Sequence, residues 1–381
     1  MGLPRCQAHF RRPRLLPGEQ DATNNRKLSG ATSYDSATGR QLWSFTLPGT
    51  DVACSVSGSP ATTEQAVGLI AFGQGSARCD HLMAVDLATG RPLWSRPLPY
   101  PLSGSEGGLL AVAGSTAVVV SAEKALGLDL QAGTAKWTGA APGQGTSDCL
   151  TQQVAAAGQY LIALARCDSS FNVLSIDPAT GKPAWTAHVT EPTSSYQIQL
   201  LSADPVVISD VLPGAREVSR VQVFGPGGQV TSSMRVSGIP GVNGPAVLDT
   251  ESHEVFGLRT VIADGLLIGV ARETGPGTDI VAFQLADGQR RWLVHLPDEV
   301  TAVRLSGDEL MLVDESDPVP SLEAISLPSG HKRATGFISR GVYDSGDAGL
   351  YLAGGRDIIV NLRGAKPTPP VAAIAVPPAR G

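Results

Sequence analysis

The chain is punctuated by a short motif in which a turn glycine is followed, four residues later, by tryptophan. All five tryptophans of the 381-residue protein stand in this position: Trp43, Trp94, Trp137, Trp185 and Trp292. Their glycines, together with two copies that lack tryptophan, recur every 42 to 60 residues. The seven turn glycines are Gly39, Gly90, Gly133, Gly181, Gly228, Gly288 and Gly330. This spacing matches one four-stranded blade of a β-propeller, about 40–50 residues.

Each copy of the motif has a simple physical interpretation. An apolar strand ends at an aspartate, a short connection reverses the chain at the glycine, and the next strand carries the tryptophan. Glycine suits the turn because a Cβ would penalise positive φ, and the aspartate can accept hydrogen bonds from turn amides. A single blade cannot bury both of its faces, whereas blades stacked in a ring can. The aspartates in this position are Asp35, Asp86, Asp129 and Asp177.

We therefore predict an all-β chain that forms one β-propeller of four-stranded antiparallel blades over residues 31–362. Six complete blades follow from the later glycines. The hairpin at 31–46 and the strands at 341–344, 349–354 and 357–362 would join as a seventh blade. Both ends offer a third strand to that blade, so eight blades remain an alternative if the chain is truncated at its N-terminus. Residues 1–30 are expected to be a disordered basic leader, and residues 363–381 a disordered proline-rich tail.

The motif resembles the pyrroloquinoline-quinone (PQQ)-type repeat, Ala-x-Asp-x-x-x-Gly-x-x-x-Trp. Ala84, Asp86, Gly90 and Trp94 match it in full. The copies ending at Trp43 and Trp185 match it without the alanine. The family includes quinone-dependent dehydrogenases, an outer-membrane assembly lipoprotein and sensor domains, so the resemblance is specific for fold and weak for function. It implies that the tryptophan docks one blade against the next.

The catalytic features of the quinone-dependent dehydrogenases are missing from the sequence. Those enzymes need a Ca²⁺ site of carboxylate and asparagine ligands, a catalytic aspartate and often two adjacent cysteines. Here no two cysteines are adjacent, and only Asn172, Asn243 and Asn361 follow residue 25. The six histidines are scattered and form no HExxH motif. We predict no catalytic, cofactor-binding or metal-binding residues and no cofactor, and we interpret the repeat aspartates as turn caps.

Four of the five cysteines fall into two pairs, each within one blade. Cys54 and Cys79 lie 25 residues apart, and Cys149 and Cys167 lie 18 apart. In each pair the first cysteine is near the first strand and the second follows the second strand. We predict disulfides across neighbouring strands; four unrelated buried thiols are the alternative. Disulfides indicate an oxidising compartment, so we expect an extracytoplasmic or envelope location although no signal peptide is present.

Charge argues against nucleic acid as a partner. The net charge is −6, and no positive patch is visible after residue 27. We expect a non-enzymatic bacterial envelope propeller that binds an unidentified protein or small molecule on one face of the ring. A PQQ-dependent oxidoreductase, or the sensor portion of a protein whose membrane anchor is missing here, are the alternatives.

Overall fold

The computed structural model describes most of the region between residues 30 and 374. The described residues are 30–34, 41–57, 67–74, 78–103, 109–144, 149–167, 170–190, 197–212, 217–235, 260–272, 277–297, 300–314, 321–337, 348–353, 356–361 and 371–374. Asp35, Gly39 and most of the predicted leader and tail lie outside them. None of the described residues is helical, so no helix among them is long and apolar enough to cross a membrane.

The strands form eight antiparallel sheets, numbered here in chain order, and strands pair in sequence order within each sheet. Sheet 1 contains β1 (Gly30–Tyr34) and β2 (Gln41–Thr46). Sheet 2 contains β3 (Asp51–Val56), β4 (Val67–Gln74), β5 (Arg78–Asp86) and β6 (Pro92–Ser103). Sheet 3 contains β7 (Leu109–Ala113), β8 (Thr116–Val120), β9 (Lys124–Asp129) and β10 (Ala135–Ala140). Sheet 4 contains β11 (Cys149–Ala157), β12 (Tyr160–Cys167), β13 (Ser170–Ile176) and β14 (Pro183–Thr190).

The remaining sheets follow the same order. Sheet 5 contains β15 (Gln197–Ala203), β16 (Val206–Leu212), β17 (Glu217–Phe224) and β18 (Val230–Arg235). Sheet 6 contains β19 (Thr260–Ala263), β20 (Leu266–Arg272), β21 (Thr278–Gln284) and β22 (Arg290–Leu296). Sheet 7 contains β23 (Val300–Ser306), β24 (Glu309–Asp314), β25 (Ser321–Ser326) and β26 (Lys332–Phe337). Sheet 8 contains β27 (Ala348–Ala353), β28 (Arg356–Asn361) and β29 (Val371–Ile374).

The hydrophobic core lies between consecutive sheets. One cluster, for example, combines Leu69 and Leu82 of sheet 2 with Leu126 and Leu128 of sheet 3, all fully buried. The inner strands are apolar on both faces because each sheet packs against two neighbours; β8 is buried along its whole length. The burial of both faces of each sheet explains why the apolar strand runs show no simple alternation.

The sheets are arranged radially. The first strands of sheets 2 to 8 lie beside one another in succession, which places them nearest the axis of the ring. The fourth strands are consequently outermost. This arrangement confirms the predicted all-β class and the propeller of four-stranded antiparallel blades.

The chain ends leave the number of blades a prediction. Within the described residues, sheets 1 and 8 are separate sheets, with two and three strands. Both supply a third strand, since β1 corresponds to the third strand of a repeat and β29 pairs with β28 in that position. The prediction that 357–362 is the third strand is wrong, because this segment is β28 and takes the second position, after β27. The predicted strand at 341–344 lies outside the described residues. The structure also differs from the disordered tail that we predicted for 363–381, because the apolar segment Val371–Ile374 forms β29 between its prolines.

Candidate functional site

The repeat aspartates are engaged by their own turns. The Asp177 carboxylate accepts hydrogen bonds from the Ala179 amide at 2.9 Å and from the Thr180 hydroxyl at 2.7 Å. These bonds, the one from Thr180 foremost, lower the pKa of Asp177. Asp86 and Asp129 accept equivalent bonds from the amides of Ala88 and of Gln131 and Ala132. The carboxylates in these three turns therefore act as caps that fix the turn conformation.

Each repeat tryptophan reaches across to the turn of the next sheet. Trp94 of sheet 2 donates its indole Nε1–H to the carbonyl of Leu130 in sheet 3, at 2.9 Å. Its ring lies over Gly133, where a Cβ would come within 2.6 Å of the indole. Gly133 also has a φ of 66°, so glycine is required there both for the turn and for the close approach of the ring. We call this contact between a tryptophan and the next turn a dock.

The same dock recurs around the ring. In every case the acceptor is the carbonyl of the second residue in a six-residue connection. The other pairs are Trp43 with Leu87 at 3.1 Å, Trp137 with Pro178 at 2.8 Å and Trp292 with Leu327 at 2.6 Å. The structure therefore gives these tryptophans the role that the family resemblance implies.

Sheet 5 breaks the pattern. Its connection between the third and fourth strands has five residues, 225–229, because Phe224 pairs with Val230. In sheet 4 the corresponding partners are Ile176 and Pro183, which leave six. Gly228 bonds back to Gly225, three residues earlier, whereas Gly181 bonds to Asp177, four residues earlier. The turn of sheet 5 is therefore one residue shorter than the turns that accept the other indoles, and its backbone closes differently.

The consequence falls on Trp185 of sheet 4. Its ring still packs on Gly228 and stacks on Phe224, with 6.3 Å between ring centroids. Within the described residues, however, its Nε1–H has no carbonyl acceptor of the kind that the other four tryptophans bind. Sheet 5 in turn has Ser232 at the tryptophan position, and Met234 covers Gly288 of sheet 6 instead.

A groove opens beside this incomplete dock. It lies on the face of the ring that carries the turns between first and second and between third and fourth strands, which we call the turn face. Its volume is about 650 Å³, within the range of ligand sites, about 300–1,000 Å³. The lining side chains come from sheets 3, 4 and 5, and those that matter below are Tyr160, Asp177, Trp185, Asp204, Phe224 and Pro226.

The groove is apolar with an acidic rim. Tyr160 is 47% exposed and is the exposed aromatic side chain of the lining. Asp177 and Asp204 are the charged residues of the lining, and no basic residue of the described chain lines it. The nearby Lys136 is held by the carbonyl and hydroxyl of Ser115, at 2.8 and 2.9 Å, and pairs with Asp129. The groove therefore offers negative charge beside aromatic surface.

Both predicted disulfides are present. Cys149 and Cys167 are bonded and are direct partners on the neighbouring strands β11 and β12, with Cα atoms 4.1 Å apart. Cys54 and Cys79 are bonded as well, with Cα atoms 6.2 Å apart. The prediction of neighbouring strands is wrong for this second pair, because β5 begins at Arg78 and so places Cys79 on the third strand. That disulfide links the first strand to the third.

Sequence reasoning missed a set of buried carboxylates in sheets 5 to 7. Asp210 is 1% exposed and accepts a bond from Arg220 Nε at 2.7 Å. Burial raises the pKa of Asp210, although Arg220 acts in the opposite direction. Asp279, equally buried, pairs with His295 at 2.9 Å. Charged residues at the end of an apolar run were the available signal, but the sequence does not show which strands pair.

The described residues do not assemble a metal site. No group of three or more His, Cys, Asp or Glu side chains that could hold an ion occurs among them. Three of the scattered histidines, His81, His188 and His295, instead bond a neighbouring Asp or Asn side chain.

Comparison with known proteins agrees with this geometry. Residues 29–292 match the model of the PQQ-repeat family described as outer membrane protein assembly factor BamB. The chain belongs to this family. No curated protein matches this BamB-family chain.

The BamB-family chain is similar in fold to several solved structures. With BamB from Moraxella catarrhalis it shares 17% identity and a TM-score of 0.50, over 88% of this chain and 91% of that one. With a europium-containing methanol dehydrogenase it shares 11% identity and a TM-score of 0.51, over 87% and 78%. With the quinohemoprotein alcohol dehydrogenase from Comamonas testosteroni the values are 13% and 0.51, over 88% and 68%. At these identities the likeness concerns the fold alone.

Proposed function

We propose that this BamB-family propeller is a non-enzymatic binding module of the bacterial envelope, and that it holds a partner in the turn-face groove. The observation that carries the proposal is the break in the docking pattern at sheet 5. In the other docks, an indole N–H bonds a turn carbonyl of the next sheet. Trp185 makes no such bond within the described residues and lines a solvent-accessible groove.

A further observation supports a binding role. The capping carboxylates at Asp86, Asp129 and Asp177 are committed to their turns, so the repeat supplies scaffold.

The two disulfides support a location outside the cytoplasm. Such bonds persist in oxidising compartments and are rare where thiols are kept reduced. We expect the protein isolated from cells without reductant to carry no free thiol at the four paired cysteines. Alkylation before and after reduction, followed by mass spectrometry, measures this; thiols that are free before reduction contradict the proposed location.

The binding role is tested by site-specific photo-crosslinking. A photoreactive phenylalanine analogue is placed at position 160 in the groove, and separately at position 150, where Leu150 is similarly exposed outside the groove. With envelope extract of the source organism, we expect a discrete adduct from position 160 and none from position 150. Equal adducts at both positions, or none at 160, contradict the proposal.

The rival function, quinone-dependent oxidation, has its own assay. Purified protein is supplied with PQQ and Ca²⁺, and dye reduction is followed with alcohols and aldose sugars. We expect no turnover above the protein-free control. Sustained turnover overturns the non-enzymatic assignment, whatever the crosslinking shows.

A further inference from the structure

We propose that the turn-face groove recognises an extended, proline-rich segment that carries an arginine, supplied by a partner protein. This inference rests on the proposed binding function and narrows it to one chemistry. It follows from three properties of the groove: its aromatic surface, its indole donor and its charge.

The aromatic surface suits proline rings. Domains that bind polyproline II segments do so through shallow grooves lined by aromatic side chains, because the ligand is already extended and loses little entropy on binding. Here Tyr160 is half exposed, and Trp185 is stacked on Phe224. Phe224 is buried and holds Trp185 in place, so the aromatic surface open to a ligand consists of the Tyr160 ring and the accessible part of Trp185.

The indole donor suits the backbone of such a segment. A polyproline II segment has no internal hydrogen bonds, so all of its carbonyls are available to a partner. Trp185 is the tryptophan whose Nε1–H lacks the turn carbonyl that Trp94 and Trp137 bind. A ligand carbonyl at this point would accept a hydrogen bond from Trp185 Nε1–H, in place of the turn carbonyl that accepts it in the other docks.

The charge of the groove selects a basic residue. Asp204 is exposed at the rim, and Asp177 stays ionised because its own turn lowers its pKa. The nearby cation Lys136 is held by Ser115 and Asp129. The negative charges of Asp177 and Asp204 therefore stay available to a ligand. An arginine can stack on the Tyr160 ring and bond a carboxylate at the same time.

The test uses the full chain and synthetic peptides. The probe is Pro-Pro-Leu-Pro-Pro-Arg-Gly, acetylated and amidated at its ends and labelled for fluorescence anisotropy. Two matched peptides isolate the two chemistries: one has Glu in place of Arg, and the other has Ser and Ala in place of the prolines. We expect each matched peptide to bind at least about tenfold more weakly than the probe. Added salt should lower the affinity of the protein for the probe, because it screens the charges.

Protein variants locate the site. Tyr160→Ala and Asp204→Asn should each lower the affinity for the probe by about fivefold or more, which is a loss of about 1 kcal/mol in binding free energy. Tyr160→Phe should retain binding, since it keeps the aromatic face. The matched controls are Leu150→Ala and Asp308→Asn, an exposed leucine outside the groove and an exposed aspartate in the equivalent turn of sheet 7. Circular dichroism melting of each variant shows that it is folded.

The outcomes separate this inference from the proposed function. If the probe does not bind, or if the Glu peptide binds equally well, the inference is wrong. If the probe binds but the groove variants and the controls behave alike, the inference is also wrong, since binding occurs elsewhere. In each of these cases an adduct at position 160 would still support the groove as a binding site for another class of partner.

Discussion

Sheets 2 to 4 and sheets 5 to 7 hold their neighbours in different ways. The first group has intact turns with a capping aspartate, tryptophan docks and both disulfides. The second group has no aspartate at the capping position of its three turns, keeps one tryptophan dock, that of Trp292, and carries buried ion pairs such as Asp210 with Arg220. It also contains no cysteine. The groove lies where the two groups meet.

The difference shows what the repeat motif is needed for. The tryptophan can be lost where another residue covers the turn glycine of the next sheet, as Met234 does on Gly288. The sheets themselves are unaffected, because burial between neighbouring sheets supplies most of the stabilisation. The motif is therefore a device for fixing adjacent blades.

The largest predicted effect concerns an intact dock. Gly133→Ala forces a side chain into positive φ and into the Trp94 ring, so we expect a loss of about 2–6 kcal/mol in the free energy of unfolding. Gly114→Ala is the control, with a φ of 55° but no atom within 4 Å of the added carbon. It should lose only about 1–2 kcal/mol. Urea unfolding compares the two; similar losses would show that the ring contact has no energetic role.

The disulfide of sheet 4 should come next. The double variant Cys149→Ala, Cys167→Ser removes a covalent link between two positions that lie 18 residues apart in the sequence. We expect a loss of about 3 kcal/mol, because the unfolded chain regains conformational freedom. The measurement is urea unfolding under non-reducing conditions. A loss well below that of Gly114→Ala would mean that docks alone secure this sheet.

The buried ion pair of sheet 5 should have a smaller effect that depends on pH. Arg220→Met leaves the carboxylate of Asp210 buried without its cation, and we expect a loss of about 2–3 kcal/mol at neutral pH. The pKa of Asp210 is already raised by burial and rises further without Arg220. Protonation then relieves the penalty, so the gap between variant and wild type should narrow as pH falls from neutral toward 5. A gap that widens contradicts this assignment.

The smallest effect compares two tryptophans. Trp137→Phe loses an indole bond to the Pro178 carbonyl, whereas Trp185→Phe has no such bond to lose. Trp137→Phe should therefore be the more destabilising by about 1 kcal/mol. Paired urea titrations measure the difference, and equal losses would mean that sheet 5 forms a full dock in solution.

The repeat made the propeller predictable because its residues are close in sequence. The spacing of Asp86, Gly90 and Trp94 predicts one hairpin, and the recurrence of this spacing along the chain predicts a ring of blades. Features that join distant strands were harder to predict. The pairing of Asp210 with Arg220 depends on register, and the strand that carries Cys79 depends on where β5 begins.

The groove could have been found only with the structure in view. The sequence Gly225-Pro-Gly-Gly228 is visible as a turn, but its missing residue matters only because Trp185 reaches it from the preceding sheet. Tyr160 carries no motif, and its exposure follows from its position beside a turn of the first and second strands.

Restoring a six-residue turn in sheet 5 tests whether its shortening opens the groove that we propose as a binding site. Residues 225–229 are replaced with the six-residue sequence of residues 177–182, which should return a carbonyl acceptor to Trp185. The affinity for the proline-rich arginine peptide is then measured in wild type and in this turn variant. We expect the turn variant to be more stable than wild type and to bind the peptide at least about tenfold more weakly. A turn variant that is more stable and binds the peptide as well as wild type would contradict this expectation.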